Sequence, residues 1–306
     1  VTHKNSAMLH FNTQSLLKTS IATMKAAGKS IGLVPTMGNL HAGHLSLVSA
    51  AKAQADYVLT TIFVNPMQFG PNEDFSRYPR TLAADIDLLT QAGCDAVFTP
   101  SIEELYPQGL DRQTRISVPQ LSTLYCGKFR PGHFDGVCTI VCKLFNMTMA
   151  DTAFFGLKDF QQFFLINRMV ADLQLPIRLV GLPTVREASG LAMSSRNGFL
   201  SPEQLKPASG IHATLQHIGG CLRTGARDFP ALERQALESL QTAGLRPDYF
   251  HIVDATTLLP ASADSRELAL LVAAHAGNTR LIDNLQVQLH GSDLPLQPVC
   301  PPRRLL

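Results

Sequence analysis

The run Ser30-Ile31-Gly32-Leu33-Val34-Pro35-Thr36-Met37-Gly38-Asn39-Leu40-His41-Ala42-Gly43-His44 constrains the chain more than any other stretch. Residues 30–34 form a short apolar run, the signature of a strand buried on both faces of a parallel sheet. Beyond the run, Leu45, Leu47, Val48 and Ala51 recur at helical spacing. The stretch is therefore the turn from a first strand into a first helix. In open α/β sheets such a turn receives nucleotides, because the first N–H groups of the helix point at the ligand and its dipole favours anions. Gly38 and Gly43 let the backbone approach a phosphate closely. His41 and His44 lie at the helix start, where both can face one phosphate. A zinc site needs a third ligand, and none stands nearby at metal spacing. The glycines match neither G-x-G-x-x-G nor a Walker A loop, which disfavours a dehydrogenase or a P-loop kinase.

The rest of the N-terminal half repeats the alternation. Residues 13–27 read as an amphipathic helix closed by Gly28. A helix over about 43–55, a buried strand over 57–64, a helix over 81–92 ended by Gly93 and a strand over 95–99 follow. The stretch 65–72 breaks all periodicity, and 100–131 reads as irregular. A helix over 134–149, a strand over 152–155, a helix over 160–173 and a strand over 177–182 complete the series. This order predicts an α/β, Rossmann-like parallel sheet with right-handed crossovers, a nucleotide-binding domain. Past Pro183 the pattern changes to two helices (203–223 and 229–243) and short strands near 249–254, 267–274 and 280–288. That is a smaller C-terminal α+β domain. The expected division is 1–183, 184–290 and a Pro-rich tail over 291–306, read as extended or disordered. A length of 306 residues suits two domains.

Charge and cysteines exclude several classes. Lys plus Arg total 26 against 24 for Asp plus Glu, so no clustered basic footprint for nucleic acid is expected. No apolar run is long enough to cross a membrane. Residues 1–10 carry no signal-peptide core, and Cys94, Cys126, Cys138, Cys142, Cys221 and Cys300 form no C-x-x-C pair. Both observations point to a reducing, cytoplasmic setting. Cys138 and Cys142, on one helix, read as core residues.

Three further stretches carry polar side chains where such a sheet places a site. In Asn65-Pro66-Met67-Gln68-Phe69, the Gln68 amide suits hydroxyls or carboxylates. In Phe155-Gly156-Leu157-Lys158-Asp159, a second strand-to-helix turn, Gly156 suits the bend. There Lys158 can meet a phosphate as a point charge, and Asp159 can cap the helix. In Met193-Ser194-Ser195-Arg196, two hydroxyls and a guanidinium suit a triphosphate clamp. A serine nucleophile is disfavoured, since no G-x-S-x-G elbow exists.

Together these stretches resemble the pantoate–β-alanine ligase family. The likeness is carried by VPTMGNLHAGH at 34–44, IFVNPMQFGPNEDFSRYPRT at 62–81, RPGHFDGV at 130–137, FGLKDFQQ at 155–162, SGLAMSSRNGFLS at 189–201 and VAAHAGNTRLIDN at 272–284. It implies a two-step ligation: pantoate and ATP give pantoyl-adenylate and pyrophosphate, then β-alanine displaces AMP to give pantothenate. It implies that Met37, Gly38, Asn39, Leu40, His41, Ala42, Gly43 and His44 hold ATP, with His44 an acid-like group toward the phosphates and His41 beside it. It also implies ATP contacts from Gly156, Leu157, Lys158 and Asp159, and from Val185, Met193, Ser194, Ser195 and Arg196. The implied catalytic residues are His44, His41 and Lys158. Gln68 is implied to bind pantoate and β-alanine, and Gln162 pantoate. Mg²⁺ is expected as the triphosphate counterion, held by phosphates and water. The segment 70–80, with Arg77, Tyr78 and Arg80, resembles the family's cover over the site, and the family implies a homodimer through the N-terminal domain. Two positions depart from the family pattern: Ala42 stands where an acid is usual, and Leu157 where Glu or Gln is usual. Two other readings remain open at this level. One is a related nucleotidyltransferase acting on a phosphorylated small molecule; the other is a nucleotide sensor without turnover.

Overall fold

The structure, a computed structural model, describes residues 7–71 and 73–289. The expected tail over 291–306 and Cys300 lie outside the described residues. In chain order the first part holds β1 (Leu9–Phe11), α1 (Gln14–Ala26), β2 (Ile31–Thr36), α2 (Ala42–Lys52), β3 (Tyr57–Ile62), α3 (Leu82–Gln91) and β4 (Ala96–Phe98). Short helices α4 (Ile102–Leu105) and α5 (Cys126–Phe129) follow, then α6 (His133–Thr148), β5 (Thr152–Gly156), α7 (Phe160–Asp172) and β6 (Arg178–Leu182). The second part holds α8 (Pro202–Arg223), α9 (Phe229–Thr242), β7 (Arg246–Asp254), β8 (Glu267–Ala276) and β9 (Thr279–Gln288).

The first sheet is parallel throughout, in the order β1-β4-β3-β2-β5-β6. Successive strands step one way from β2 to β4 and the other way from β5 to β6. The order therefore reverses between β2 and β5, and a ligand crevice opens beyond their carboxyl ends. Pairing of β2 with β3 runs on to Thr36, whereas pairing with β5 stops at Leu33. Pro35 has no N–H for a further ladder bond, which suits a place where the strands part.

Alternation along the strands builds the two faces. Leu33, Leu59, Phe98 and Phe155 join α1, α6 and α7 in one core, where Leu17, Val137, Val141 and Ile166 meet them. Their neighbours Val34, Val58, Val97 and Phe154 face α2 and α3, against Val48, Ala51 and Leu89. Both faces are covered, so these strands read as continuous apolar runs. Cys138 and Cys142 are buried in the first core, as expected.

The second sheet, β7-β8-β9, is antiparallel. Leu268, Leu270 and Val272 of β8 pack against α8 and α9. The alternate residues Ala269, Leu271 and Ala273 pack against Tyr125 and Phe160 of the first part. The strand is thus apolar on both faces although its sheet is antiparallel. Asn284 of β9 donates to the carbonyls of Leu157 and Lys158 at 2.7 and 2.9 Å, fixing the turn after β5.

Three features depart from the sequence expectation. β1 is an unexpected sixth strand; three partly exposed residues at a sheet edge leave no periodic signal. The stretch 100–131 is not wholly irregular, since α4 and α5 lie in it. β7 begins at Arg246, earlier than 249, across an irregularity between Pro247 and Tyr249. No helix among the described residues is long and apolar enough to cross a membrane.

Candidate active site

Beyond β2 the chain turns through Gly38 (φ 79°) and Asn39 (φ 49°), left-handed conformations that Gly and Asn tolerate best. Two N–H groups of this turn, those of Asn39 and Leu40, donate to the Asp85 carboxylate at 2.9 and 2.8 Å. Asp85 sits on α3 and is only 1 % exposed. The Asn39 amide also donates to the Ser195 carbonyl, and the Ser195 hydroxyl donates back to the Asn39 carbonyl, both at 3.2 Å. These bonds dock the serine loop on the first turn.

The two histidines cap α2 jointly. The Gly43 N–H donates to His41 Nδ1 at 3.1 Å, and the His41 N–H donates to His44 Nδ1 at 3.3 Å. The rings lie 4.1 Å apart between centroids, and a Cβ at Gly43 would crowd the His41 ring. Burial, and next the Lys158 charge, lower the His41 pKa to about 4. Burial, then the neighbouring His41 and Lys158, lower His44 to about 3. Both rings are therefore neutral at pH 7, and with Nδ1 accepting, each carries its proton on Nε2. In the empty site His44 is thus a neutral ring whose Nε2–H can donate toward a phosphate.

One cavity at the crevice brings most of the expected residues together. Met37, His41, Gly43 and His44 line it with Gly156, Lys158 and Asp159. Val185, Met193, Ser194, Ser195 and Arg196 line it from the loop past β6, and Gln68 and Gln162 also face it. Its apolar wall is built by Phe63 with Val137, Ile140, Val141 and Leu144 of α6. A second, adjoining cleft shares Met37, Gln68, Lys158, Gln162 and Arg196, and is closed on its far side by Asp248, His275 and Arg280.

Five expected residues do not line the cavity. Gly38, Asn39 and Ala42 shape the first turn and helix start, and Leu40 is buried under α2. Leu157 packs into the core beside Gly181, so the departure from Glu or Gln at this position falls on a side chain outside the cavity. Two local expectations are also corrected. Asp159 precedes α7 but makes no capping bond; its carboxylate lies 3.5 Å from Lys158 Nζ. Gly156 has an ordinary φ of −80°, so the bend itself does not demand glycine.

Several residues of the site escaped the sequence reading. Asp74 accepts from Arg196 Nε and Nη2 at 2.8 and 2.9 Å, and the guanidinium lies over the Tyr78 ring, 5.5 Å from its centroid. Hydrogen bonding and the charge of Arg196 outweigh burial and hold the Asp74 carboxyl below its ordinary range. Arg130 donates to Glu73 Oε1 at 2.8 Å. The segment 73–78 is thus tied to the serine loop on one side and to the start of α6 on the other. His133 is buried beside Gln68, and burial, then the Arg130 charge, lower its pKa to about 3. Glu73, Asp74, Arg130 and His133 lie inside the motifs at 62–81 and 130–137, but nothing local in the sequence marks their partners, and Asp85 lies outside those motifs.

Comparison with known proteins gives the family. The family model described as pantoate-beta-alanine ligase matches residues 10–286. The chain belongs to the pantoate–β-alanine ligase family. Pantothenate synthetase of Pseudomonas fluorescens (strain Pf0-1) is 55% identical over 273 residues, 89% of this chain and 96% of that protein. The enzyme of the same name from Pseudomonas putida (strain W619) is 56% identical over 273 residues, again 89% of this chain and 95% of that one. The pantothenate synthetase structure from Thermus thermophilus superposes with a TM-score of 0.85 at 42% identity, covering 91% of this chain and 99% of that chain. A pantoate-beta-alanine ligase from Francisella tularensis, complexed with beta-gamma ATP and beta-alanine, superposes with a TM-score of 0.77 at 32% identity, covering 91% and 97%.

Proposed function

We propose that the chain joins pantoate to β-alanine with the consumption of ATP, through a pantoyl-adenylate. The observation that carries this is the composition of one cavity. Its lining combines neutral histidine donors, a lysine and a serine–arginine loop, fit for phosphates, with two amides and an apolar wall. Such a wall suits the branched carbon body of pantoate, while Gln68 and Gln162 suit its hydroxyl and carboxylate oxygens. A pantoate carboxylate oxygen attacks the α-phosphorus, and the bond to the β-phosphate oxygen breaks, releasing pyrophosphate. The β-alanine amine then attacks the acyl carbon; the acyl C–O bond breaks, AMP leaves with that oxygen, and the amine loses a proton. No protein nucleophile is needed, only positioning and charge stabilisation.

In this reading the Nε2–H groups of His41 and His44 and the ammonium of Lys158 neutralise the phosphate oxygens. Ser194, Ser195 and Arg196 hold the triphosphate, with Met37, Gly43, Gly156, Asp159, Met193 and Val185 shaping its bed. Gly38, Asn39, Leu40, Ala42 and Leu157 act through the backbone and turns they build. ATP enters as its Mg²⁺ complex, with phosphates and water supplying most of the metal's shell; the Asp159 carboxylate lies on the same cavity. The reading extends to a homodimer through the N-terminal domain, a cytoplasmic setting and the division at residue 183.

An exchange assay tests the order of steps. With pantoate and Mg-ATP but no β-alanine, labelled pyrophosphate enters ATP. Exchange that appears only after β-alanine is added contradicts a free-standing adenylation.

A further inference from the structure

One buried titratable side chain beside the cavity takes no part in the reaction as derived. It is His133, the first residue of α6. Its ring has two polar neighbours. Nδ1 lies 2.8 Å from the Gln68 carbonyl oxygen, and Nε2 lies 3.0 Å from Nη1 of Arg130. A guanidinium can only donate, so Nε2 must accept. A carbonyl can only accept, so the ring proton sits on Nδ1. This is the opposite tautomer to that of His41 and His44, whose Nδ1 atoms both accept. Arg130 is itself fixed, donating through Nε to Glu73 at 2.8 Å and reaching the Gln68 carbonyl with Nη2 at 3.3 Å.

What these groups hold is the turn Pro66–Gln68. It lies so close to α6 that a Cβ at Gly136 would run into the Met67 carbonyl. Asn65 spans the same gap: its amide donates to the Gly136 carbonyl at 3.1 Å, and its oxygen accepts from the Tyr106 hydroxyl at 2.8 Å. None of these contacts is made by the histidine helix or by the serine loop itself; the link to that loop runs through Glu73 and its neighbour Asp74. We propose that His133, as a neutral ring protonated on Nδ1 and oriented by Arg130, is a positioning residue that sets the place of Gln68 for the acid substrate. The proposal rests on the reading of Gln68 as a pantoate-binding residue.

The test compares His133→Leu, which removes the donor, with His133→Asn, whose amide can still donate to the carbonyl. In the pantoate-dependent exchange assay, His133→Leu raises the apparent KM for pantoate about tenfold, as expected for a buried carbonyl losing its main donor. Affinity for a non-hydrolysable ATP analogue, read by calorimetry, stays unchanged, and His133→Asn recovers most of the loss. Independently of turnover, ¹⁵N spectra of histidine-labelled wild-type protein show at pH 6.5 a neutral ring protonated on Nδ1 whose signals vanish in His133→Asn. A ring charged or protonated on Nε2 overturns the proposal. So does ATP affinity falling in step with pantoate affinity, or an Asn variant no better than Leu. Absence of exchange in the wild type counts against the ligase reading instead, and the tautomer then still decides the role of His133.

Discussion

Lys158→Ala lowers the rate of adenylate formation by about 10²–10³, the usual cost of removing one preorganised donor from developing negative charge. Lys158 follows β5 on a turn whose carbonyls are held by Asn284. Its polar partner is Asp159, at 3.5 Å, so the ammonium is available to a phosphate. Charge on the leaving pyrophosphate grows as the bond to the α-phosphorus breaks, so the lysine stabilises the transition state more than bound ATP. The loss therefore falls on kcat, with a smaller change in KM for ATP. The fold persists, since the ammonium packs against no core. The second half-reaction, started from supplied pantoyl-adenylate, suffers less because no pyrophosphate leaves in it. The variant also removes a charge that depresses His41 and His44, so both rings titrate at higher pH than in the wild type. Single-turnover rates for the two halves decide the matter, and near-normal adenylation by folded Lys158→Ala contradicts the role.

Acid destabilises the empty protein well above the usual carboxylate range. His44 and His133 are held at about 3 in the folded chain, against an ordinary value of 6.5. Between about pH 5.5 and 4 the unfolded chain binds two more protons at these sites than the folded one. Their contribution is complete above pH 6.5 and is lost as pH falls toward the folded values, at about 3 kcal/mol per pH unit. His41, at about 4, acts in the same direction, reduced by its partial exposure to solvent. His212 and His275 are also lowered, chiefly by burial, and add to the trend. Asp74, Asp151 and Asp254 are lowered too, by hydrogen bonds that outweigh burial, helped at Asp74 by Arg196 and at Asp151 by Lys25, and extend the loss to lower pH. Urea midpoints at pH 7, 5.5 and 4.5 measure the effect. They fall steeply below pH 5.5; equal midpoints at pH 7 and 4.5 contradict neutral buried rings.

The parallel sheet was legible because β2, β3 and β5 are buried on both faces and so are written as largely apolar runs. β1 was not, because a three-residue edge strand has no period to read. The cavity's main side chains were legible because each lies at a local strand-to-helix turn or loop. What the sequence hid are residues that act across long separations. Asp85 closes a turn 46 residues upstream, Asp74 meets Arg196 122 residues away, and His133 reaches back 65 residues to Gln68. The protonation of His44 was hidden for a similar reason. Burial by the surrounding fold makes the ring neutral, and no motif carries burial.

Oxygen labelling tests the central claim most directly. Pantoate carrying ¹⁸O in both carboxylate positions is incubated with Mg-ATP, β-alanine and the protein, and the products are weighed by mass spectrometry. The account predicts pantothenate with one ¹⁸O in its new amide carbonyl, AMP with one ¹⁸O, and unlabelled pyrophosphate. Label appearing in inorganic phosphate together with ADP, or AMP without label, would contradict attack of the carboxylate on the α-phosphorus.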